Sequence, residues 1–196
     1  MDSRERFITA TTELFRRQGY HATSMKQITA ATGLPTGSLY HFFPGGKEQL
    51  AQAAVVTSGR VYCDLLELIW DGADSPADAV QAFFEGAAAV LEETDFIDPC
   101  PIGTIAREVA STNDALRIST TAVFDLWITT AAARLRAAGL GASVATDLAT
   151  TFVGTVEGGF VLARASRDAD RLRATGRHMR LLVQHTIDMA TASDER

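Results

Sequence analysis

The residues with the most informative chemistry lie between Thr23 and Leu50, in the run TSMKQITAATGLPTGSLYHFFPGGKEQL. A hydroxyl at Thr23 or Ser24 suits the start of a first helix, because it can bond free backbone N–H groups there. Gly33 suits the end of that helix, and Pro35 suits the start of a second one. Two short helices joined by a tight turn form a helix-turn-helix, whose second helix fits the major groove of DNA.

The second helix of this pair is predicted from Thr36 to about Phe42, with Leu39 on its buried side. Its exposed side carries Thr36, Gly37, Ser38, Tyr40 and His41. Short side chains and a glycine at the helix start allow close approach to base edges and thymine methyl groups. We therefore expect base reading from Thr36, Gly37 and Ser38.

The run resembles the DNA-binding domain of the TetR/AcrR family of bacterial transcription regulators. The matching features are the Thr-Ser entry, the I-x-x-A-x-G-L turn, the G-S-L-Y-H-F helix and the G-K-E-x-L start of the next helix. The resemblance implies phosphate contacts from Thr23, Ser24, Tyr40, His41 and Lys47. Lys26 is a further DNA-binding candidate, for which an ordinary solvent-facing charge is an equally supported interpretation.

Thr36 and Phe42 depart from the pattern of related family members, and Thr29 and Thr32 are minor departures at positions where small residues are usual. Thr36 stands where many relatives have lysine, and its shorter reach predicts a changed base preference at that step. Phe42 replaces a frequent histidine, with His41 one residue earlier, so the division of phosphate contacts between these two positions stays open.

Charge is divided unevenly along the 196 residues, whose formal net charge is −6. Residues 1–47 contain six Arg and Lys against three Asp and Glu, a net charge of +3, which leaves −9 for the remainder. A basic N-terminal segment on an acidic body indicates DNA binding by that segment alone.

Other function classes lack their signatures. No H-E-x-x-H motif or Gly-rich phosphate loop occurs, and the four histidines do not pair with an acid or nucleophile at useful spacing. Cys63 and Cys100 form neither a disulfide framework nor a metal-binding spacing. No apolar run approaches the roughly 20 residues of a membrane span, and the charged start MDSRERF does not resemble a signal peptide. We expect no enzyme activity, no metal, no cofactor, no membrane partner and a cytoplasmic location.

Hydrophobic periodicity predicts an all-α fold of about nine helices. Residues 1–46 are expected to form a three-helix helix-turn-helix DNA-binding domain, and residues 47–196 a larger helical effector-binding and dimerisation domain. The predicted helices outside the helix-turn-helix span residues 3–18, 46–70, 76–94, 101–112, 113–138, 142–165 and 168–190. Gly19 is expected to end the first helix, which Ser3 is expected to cap. Gly154, Gly158 and Gly159 are costly inside a helix, so they indicate close helix approach at a subunit interface or a kink beside a ligand.

The body contains many aromatic residues, for which an ordinary core is the interpretation favoured residue by residue. A Cys-Pro-Ile run at residues 100–102 is similar to the LmrA/YxaF-like branch of the family, and the family resemblance implies a pocket between the body helices. The ligand-binding candidates are Tyr62, Phe84, Phe96, Cys100, Phe124, Trp127, Phe152 and Glu157, with Arg107 as a second polar candidate. For Cys100, filling a small apolar gap is favoured over lining a pocket, because free cysteine behaves as a small buried hydrophobe.

These observations predict a ligand-responsive transcriptional regulator, expected to be a repressor. It is expected to bind a palindromic double-stranded DNA operator as a homodimer through its two C-terminal helices, and to be released by a small hydrophobic or aromatic effector. The alternative is a ligand-sequestering helical dimer without DNA affinity. Salt dependence separates the two, since a DNA-binding protein loses affinity steeply as salt rises.

Overall fold

The computed structural model describes residues 1–97 and 99–194 of the chain. Within these residues it contains nine α-helices and no strand, which confirms the predicted all-α class. The helices are α1 (Ser3–Ala22), α2 (Met25–Thr32), α3 (Thr36–Phe42), α4 (Gly46–Asp71), α5 (Pro76–Glu93), α6 (Pro101–Val109), α7 (Asp114–Ala137), α8 (Ala142–Ser166) and α9 (Asp170–Asp194). No helix in the described part of the chain is both long enough and apolar enough to span a bilayer.

The chain forms two compact units that do not follow the sequence order. The first unit comprises Met1–Val61 and Asp98–Val123, and the second comprises Tyr62–Ile97 and Phe124–Arg196. Helix α6 therefore belongs to the same compact unit as α1, α2 and α3, although it lies far from them in sequence. The domain boundary between residues 46 and 47 stays a prediction about how the sequence is divided.

Helix α1 differs from its prediction at both ends. Asp2, rather than Ser3, is the N-cap: its carboxylate accepts the Glu5 N–H at 2.8 Å, and the Glu5 side chain accepts the Asp2 N–H at 2.8 Å. Gly19 does not end the helix but interrupts it, with φ 83° and ψ 175°, and helical residues continue to Ala22. Glycine suits this position because φ is positive there.

The helix-turn-helix follows from local capping, as predicted. Ser24 caps α2 in a capping box with Gln27, and Gly33 ends it in the left-handed conformation at φ 65°. Pro35 precedes the first residue of α3. The helices share a buried core of Phe7, Ile8, Ile28, Leu39, Phe43, Leu50 and Ala54.

In the second unit, α9 packs against α5 and α8. Arg180 Nη2 lies 2.9 Å from Asp78 Oδ1, and Arg173 Nη2 lies 2.6 Å from Glu92 Oε2, so ion pairs connect α5 to α9. Hydrogen bonds from Ser75 and Arg180 hold the pKa of Asp78 below its usual range. Helix α9 also approaches α5 closely at Gly176, where an added Cβ atom would lie 2.5 Å from Phe84 Cβ.

The close contact at Gly176 predicts that two glycine-to-alanine substitutions change the free energy of unfolding in opposite directions. Gly176→Ala is expected to lower the free energy of unfolding by about 2 kcal/mol, because the added methyl overpacks Phe84. Gly86→Ala is the matched control: Gly86 is exposed within α5 and an added Cβ meets nothing within 4 Å. It is expected to raise the free energy of unfolding by up to about 1 kcal/mol through helix propensity. Urea denaturation measures both, and a Gly176→Ala protein as stable as wild type would contradict the α5–α9 packing.

Candidate nucleic-acid interface

The first turn of α3 presents the predicted base-reading residues at the surface. Thr36 and Gly37 are exposed and Ser38 is half-buried, while a Cβ atom added at Gly37 would meet nothing within 4 Å. Leu39, which is fully buried, anchors the opposite side of the helix in the core of the first unit. The helix thus has one buried face and one small, polar, open face.

Two further predicted phosphate-binding residues lie on the exposed part of α3. Tyr40 is 49% exposed, and a tyrosine hydroxyl is one of the groups that bind phosphate oxygens in DNA complexes. His41 is also exposed, and its ring packs edge-on against Phe42 with centroids 5.2 Å apart. The structure therefore places His41 beside the half-buried Phe42, the position at which the sequence departs from the family pattern.

Thr23, for which a phosphate contact is predicted, does not lie at the surface of this structure. Its side chain is 1% exposed. The hydroxyl donates to the Gly19 carbonyl at 2.7 Å and accepts from Gln18 Nε2 at 3.1 Å. Because the hydroxyl is buried and already bonded, Thr23 secures the connection between α1 and α2 in this conformation.

Ser24 and Lys26 lie at the exposed start of α2. The Ser24 hydroxyl takes part in the capping box, where it accepts the Gln27 N–H at 3.2 Å and donates to Gln27 Oε1 at 2.9 Å. Its role in helix capping is therefore established by geometry, and a phosphate contact from it stays a prediction. The exposure of Lys26 is compatible with both interpretations offered for it.

Lys47 occupies the first turn of α4 and is held against an aromatic ring. Its Nζ atom lies 4.3 Å from the centroid of the Tyr20 ring, a cation–π geometry. Partial burial lowers the pKa of Lys47, and the negative charge of Glu108 on α6 opposes that change. Burial, together with the nearby Glu48 carboxylate, raises the pKa of Tyr20. The contact with the ring restricts the positions available to the lysine side chain.

Two arginines that sequence reasoning left out support this unit from α1. Arg6 Nη2 donates to the Thr32 carbonyl at 2.6 Å and so satisfies the C-terminal end of α2. The Arg4 guanidinium lies 5.5 Å from the centroid of the Phe43 ring. No local signal identifies the Arg6 contact, because its partner lies 26 residues away.

Five of the six aromatic candidates for ligand binding lie in two groups within the second unit. Trp127 packs against Tyr62 and Phe124 with ring centroids 6.0 and 5.7 Å away. Phe152 forms the centre of the other group, with ring centroids at 5.8 Å from Trp70, 5.4 Å from Phe83 and 5.9 Å from Phe84. Both Phe84 and Phe152 are buried, which agrees with the core interpretation favoured for individual residues.

Trp70 is a candidate that sequence reasoning did not include in the ligand-binding set. Its side chain is 8% exposed, and its indole Nε1 is buried without a hydrogen-bond partner. A buried donor of this kind is uncommon in folded proteins and can bond to a ligand acceptor or to water. Within the same unit, Glu157 is half-buried on α8, and Phe96 packs its ring 5.4 Å from the Arg167 guanidinium.

Cys100 and Arg107 belong to the first compact unit, whereas the other ligand-binding candidates belong to the second. Cys100 is buried as the N-cap of α6, where its Sγ atom accepts the Gly103 N–H at 3.4 Å. This placement supports the interpretation of Cys100 as a small buried residue. Arg107 is exposed on α6. Among the described residues, no group of three or more His, Cys, Asp or Glu side chains is arranged to hold a metal ion.

The sequence matches two family profiles, one over each part of the chain. Residues 7–54 match the profile of bacterial regulatory proteins of the tetR family, and residues 76–178 match that of the LmrA/YxaF-like transcriptional regulator C-terminal domain. The first of these ranges contains the whole helix-turn-helix, and the second contains α5, α6, α7, α8 and the beginning of α9.

Individual relatives and structures agree with these matches. The chain is 36% identical to the HTH-type transcriptional regulator YxaF of Bacillus subtilis, over 93% of this chain and 96% of that protein. It is 33% identical to the HTH-type transcriptional regulator LmrA of the same organism, over 87% of this chain and 91% of that protein. The crystal structure of a TetR transcriptional regulator from Legionella pneumophila superimposes with a TM-score of 0.79 at 25% identity, covering 91% of this chain and 96% of that one.

These relatives are transcriptional regulators rather than enzymes, and their similarity extends over almost the whole chain. The exposed α3 face and the buried anchor beneath it are the parts of the fold that such a regulator needs for DNA recognition. The chain belongs to the TetR family of bacterial transcriptional regulators, with a C-terminal domain of the LmrA/YxaF-like type.

Proposed function

We propose that this protein is a homodimeric repressor that binds a palindromic operator and is released by a small hydrophobic or aromatic effector. The observation that carries the proposal is the exposed first turn of α3, where Thr36, Gly37 and Ser38 lie opposite the buried Leu39. In this proposal, α3 enters the major groove and these three residues approach base edges.

Phosphate contacts are proposed for the surface residues that surround α3. Tyr40 and His41 contribute from α3 itself, Lys47 contributes from the start of α4, and Ser24 and Lys26 contribute from α2. These groups are hydroxyl, imidazole and ammonium donors, the types that bind phosphate oxygens in DNA complexes. Residues 1–46 are proposed as the DNA-binding domain, and residues 47–196 as the effector-binding and dimerisation domain.

Exposed small and apolar faces of α8 and α9 support the homodimer. On α8, Gly154 and Gly158 are four residues apart, and a Cβ atom added at either would meet nothing within 4 Å. Val161 and Leu162, which are 45% and 52% exposed, continue the same face. By contrast, a Cβ at Gly159 would lie 2.4 Å from Leu172 Cδ1, so this glycine permits α8–α9 packing within one chain.

Helix α9 carries a second exposed stripe. It comprises His178, Leu181, Leu182, His185 and Met189, which recur at helical spacing and are all exposed. Two copies of the α8 and α9 faces would cover each other in an intermolecular four-helix bundle. A two-fold dimer of this kind places two copies of α3 on the two halves of a palindromic site.

The proposed effector is apolar or aromatic because the second unit contains two groups of packed aromatic rings. Tyr62, Phe124 and Trp127 form one group, and Phe84 and Phe152 belong to the other. Phe96 and Glu157 are further proposed contacts, and Glu157 would orient a polar group of the effector. Release requires that the effector binds the low-affinity state more tightly than the operator-bound state.

The test is fluorescence anisotropy of the purified protein with labelled DNA from upstream of its own coding region, at two salt concentrations and against random DNA. Tight, selective and salt-sensitive binding is the expected result. Where upstream DNA shows no preference, selection from a random library gives the decisive result. Failure to enrich any sequence would favour the ligand-sequestering dimer over the repressor.

If α3 reads bases, a substitution at Thr36 should change the preferred operator sequence. Thr36→Lys is expected to shift the preferred base at one step of each half-site towards guanine, because lysine donates to guanine O6 and N7. A discrimination of about 1–3 kcal/mol is expected for that base pair. Ala31→Lys, at an exposed position of α2, adds the same charge and serves as the control. Selection from a randomised operator library should show changed preference for Thr36→Lys only, and the same preference in both variants would contradict base reading at this position.

A further inference from the structure

The interruption of α1 at Gly19 leaves a backbone N–H that is bonded by a side chain from a helix distant in sequence. Beyond a non-helical residue the ladder of helix hydrogen bonds is broken, so nearby N–H groups need other acceptors. The His21 N–H donates to Glu108 Oε2 on α6 at 2.9 Å. Glu108 thus accepts a backbone donor immediately before the connection that leads into the helix-turn-helix.

Gly19 is shaped for this carboxylate. A Cβ atom at residue 19 would lie 1.7 Å from Glu108 Oε1 and 2.7 Å from Glu108 Cδ, so a side chain there would displace the Glu108 carboxylate. The backbone φ of 83° independently favours glycine. The missing side chain therefore does two things: it allows the interruption in α1 and it makes room for the Glu108 carboxylate. We call Glu108, Gly19 and His21 together the Glu108 clamp.

The clamp lies beside the residues proposed to contact phosphates. Tyr20, between Gly19 and His21, carries the Lys47 ammonium over its ring, and the charge of Glu108 acts on that ammonium group. A second long-range hydrogen bond lies nearby in sequence: the Asn113 side-chain amide Nδ2 donates to Glu48 Oε2 at 2.6 Å. Residues at the end of α6 and the start of α7 therefore hold the end of α1 and the start of α4.

We propose that Glu108 is a positioning residue for operator binding, which holds the α1–α2 connection and Lys47 in their DNA-binding arrangement. The proposal rests on the function proposed above. Electrostatics and positioning predict opposite changes in operator affinity when the Glu108 carboxylate is removed. A carboxylate close to a phosphate-binding lysine repels DNA, so electrostatics alone predicts that removing the carboxylate strengthens binding. Positioning predicts that its removal weakens binding, because fewer molecules then have the competent arrangement.

Three variants of the full chain separate these effects. Glu108→Ala removes both the charge and the acceptor, whereas Glu108→Gln keeps an acceptor of the same shape and removes only the charge. Asp114→Asn is the matched control, because Asp114 is exposed at the start of α7, lies with its Oδ1 atom 3.0 Å from Arg117 Nε, and loses the same charge. Operator affinity is measured by anisotropy well below the melting temperature of each variant, and hydrogen exchange is followed at the His21 amide.

Positioning predicts that Glu108→Ala binds the operator about tenfold more weakly and exchanges the His21 amide faster than wild type. Glu108→Gln should recover most of the affinity and most of the amide protection, and Asp114→Asn should match wild type or bind slightly more tightly. A purely stabilising role would lower the melting temperature of Glu108→Ala without changing the affinity of the folded protein.

Several results would overturn the proposal. Tighter binding by Glu108→Ala would show simple repulsion, and wild-type affinity or an unchanged His21 exchange rate would show that the clamp does not position the DNA-binding residues. The outcome for the wild-type protein separates this inference from the proposed function. If wild type binds no operator, the proposed function itself fails; if wild type binds and Glu108→Ala binds equally well, only the positioning role fails.

Discussion

Replacing Lys47 with alanine is expected to weaken binding to every DNA sequence alike, by about tenfold or more at low salt. The Lys47 ammonium lies over the Tyr20 ring at the start of α4, so its position is already restricted before DNA arrives. Because a lysine–phosphate contact carries no sequence information, operator and random DNA should lose affinity by the same factor.

The salt dependence gives this prediction a second, independent measurement. A homodimer loses two phosphate contacts, so the slope of log affinity against log salt concentration should become shallower by about 2. Anisotropy titrations at four or more salt concentrations measure it. Arg136→Ala, at an exposed position near the end of α7, removes the same charge and is the control. A Lys47→Ala protein with wild-type affinity and slope would show that Lys47 does not contact the DNA backbone.

Replacing Leu182 with glutamate is expected to abolish the dimer at micromolar concentrations. Leu182 is 42% exposed on the α9 stripe that is proposed to meet its counterpart in a second chain. The substitution would place two like charges in an apolar interface, and an unpaired charge buried there costs about 3–5 kcal/mol. Sedimentation equilibrium measures the change in association directly.

Loss of the dimer in Leu182→Glu should also lower the affinity for the operator. Two linked DNA-binding domains bind the two half-sites with an overall affinity that exceeds that of one domain by a factor of roughly 10²–10⁴. We therefore expect the Leu182→Glu protein to bind the operator at least about a hundredfold more weakly than wild type. Leu68→Glu is the control, because Leu68 is 69% exposed on α4, outside the proposed interface. A dimeric, operator-binding Leu182→Glu protein would place the interface elsewhere, and a monomeric Leu68→Glu protein would implicate α4.

Local sequence features were sufficient for much of this fold. The long fourth helix was predicted at residues 46–70 and is observed at Gly46–Asp71, and α8 was predicted at residues 142–165 and is observed at Ala142–Ser166. Ser24, Gly33 and Pro35 delimit the helix-turn-helix as predicted. The capping of a helix depends on neighbours within three or four residues, so these boundaries are readable from short stretches of sequence.

Local sequence features do not show which residues are buried. Thr23 has the residue type of a phosphate contact, yet its hydroxyl is buried and bonded to the Gly19 carbonyl. Gly159 resembles Gly154 and Gly158 in sequence, but only Gly159 lies against the side chain of Leu172. Residue type and spacing do not distinguish these cases, because each depends on which surface a neighbouring helix covers.

By itself, the sequence determined the helical class, the helix-turn-helix, the exposed α3 residues and membership of the TetR family, since these depend on periodicity, capping and a contiguous motif. Only the tertiary structure placed Glu108 at the His21 N–H, 87 residues away along the chain, and Gly176 against Phe84. It also assigned α6, with Cys100 and Arg107, to the compact unit that contains the helix-turn-helix. The physical reason is the separation in sequence of the residues that interact. Helix formation depends on bonds between near neighbours, whereas contacts such as Glu108–His21 and Gly176–Phe84 exist only after helices distant in sequence have packed.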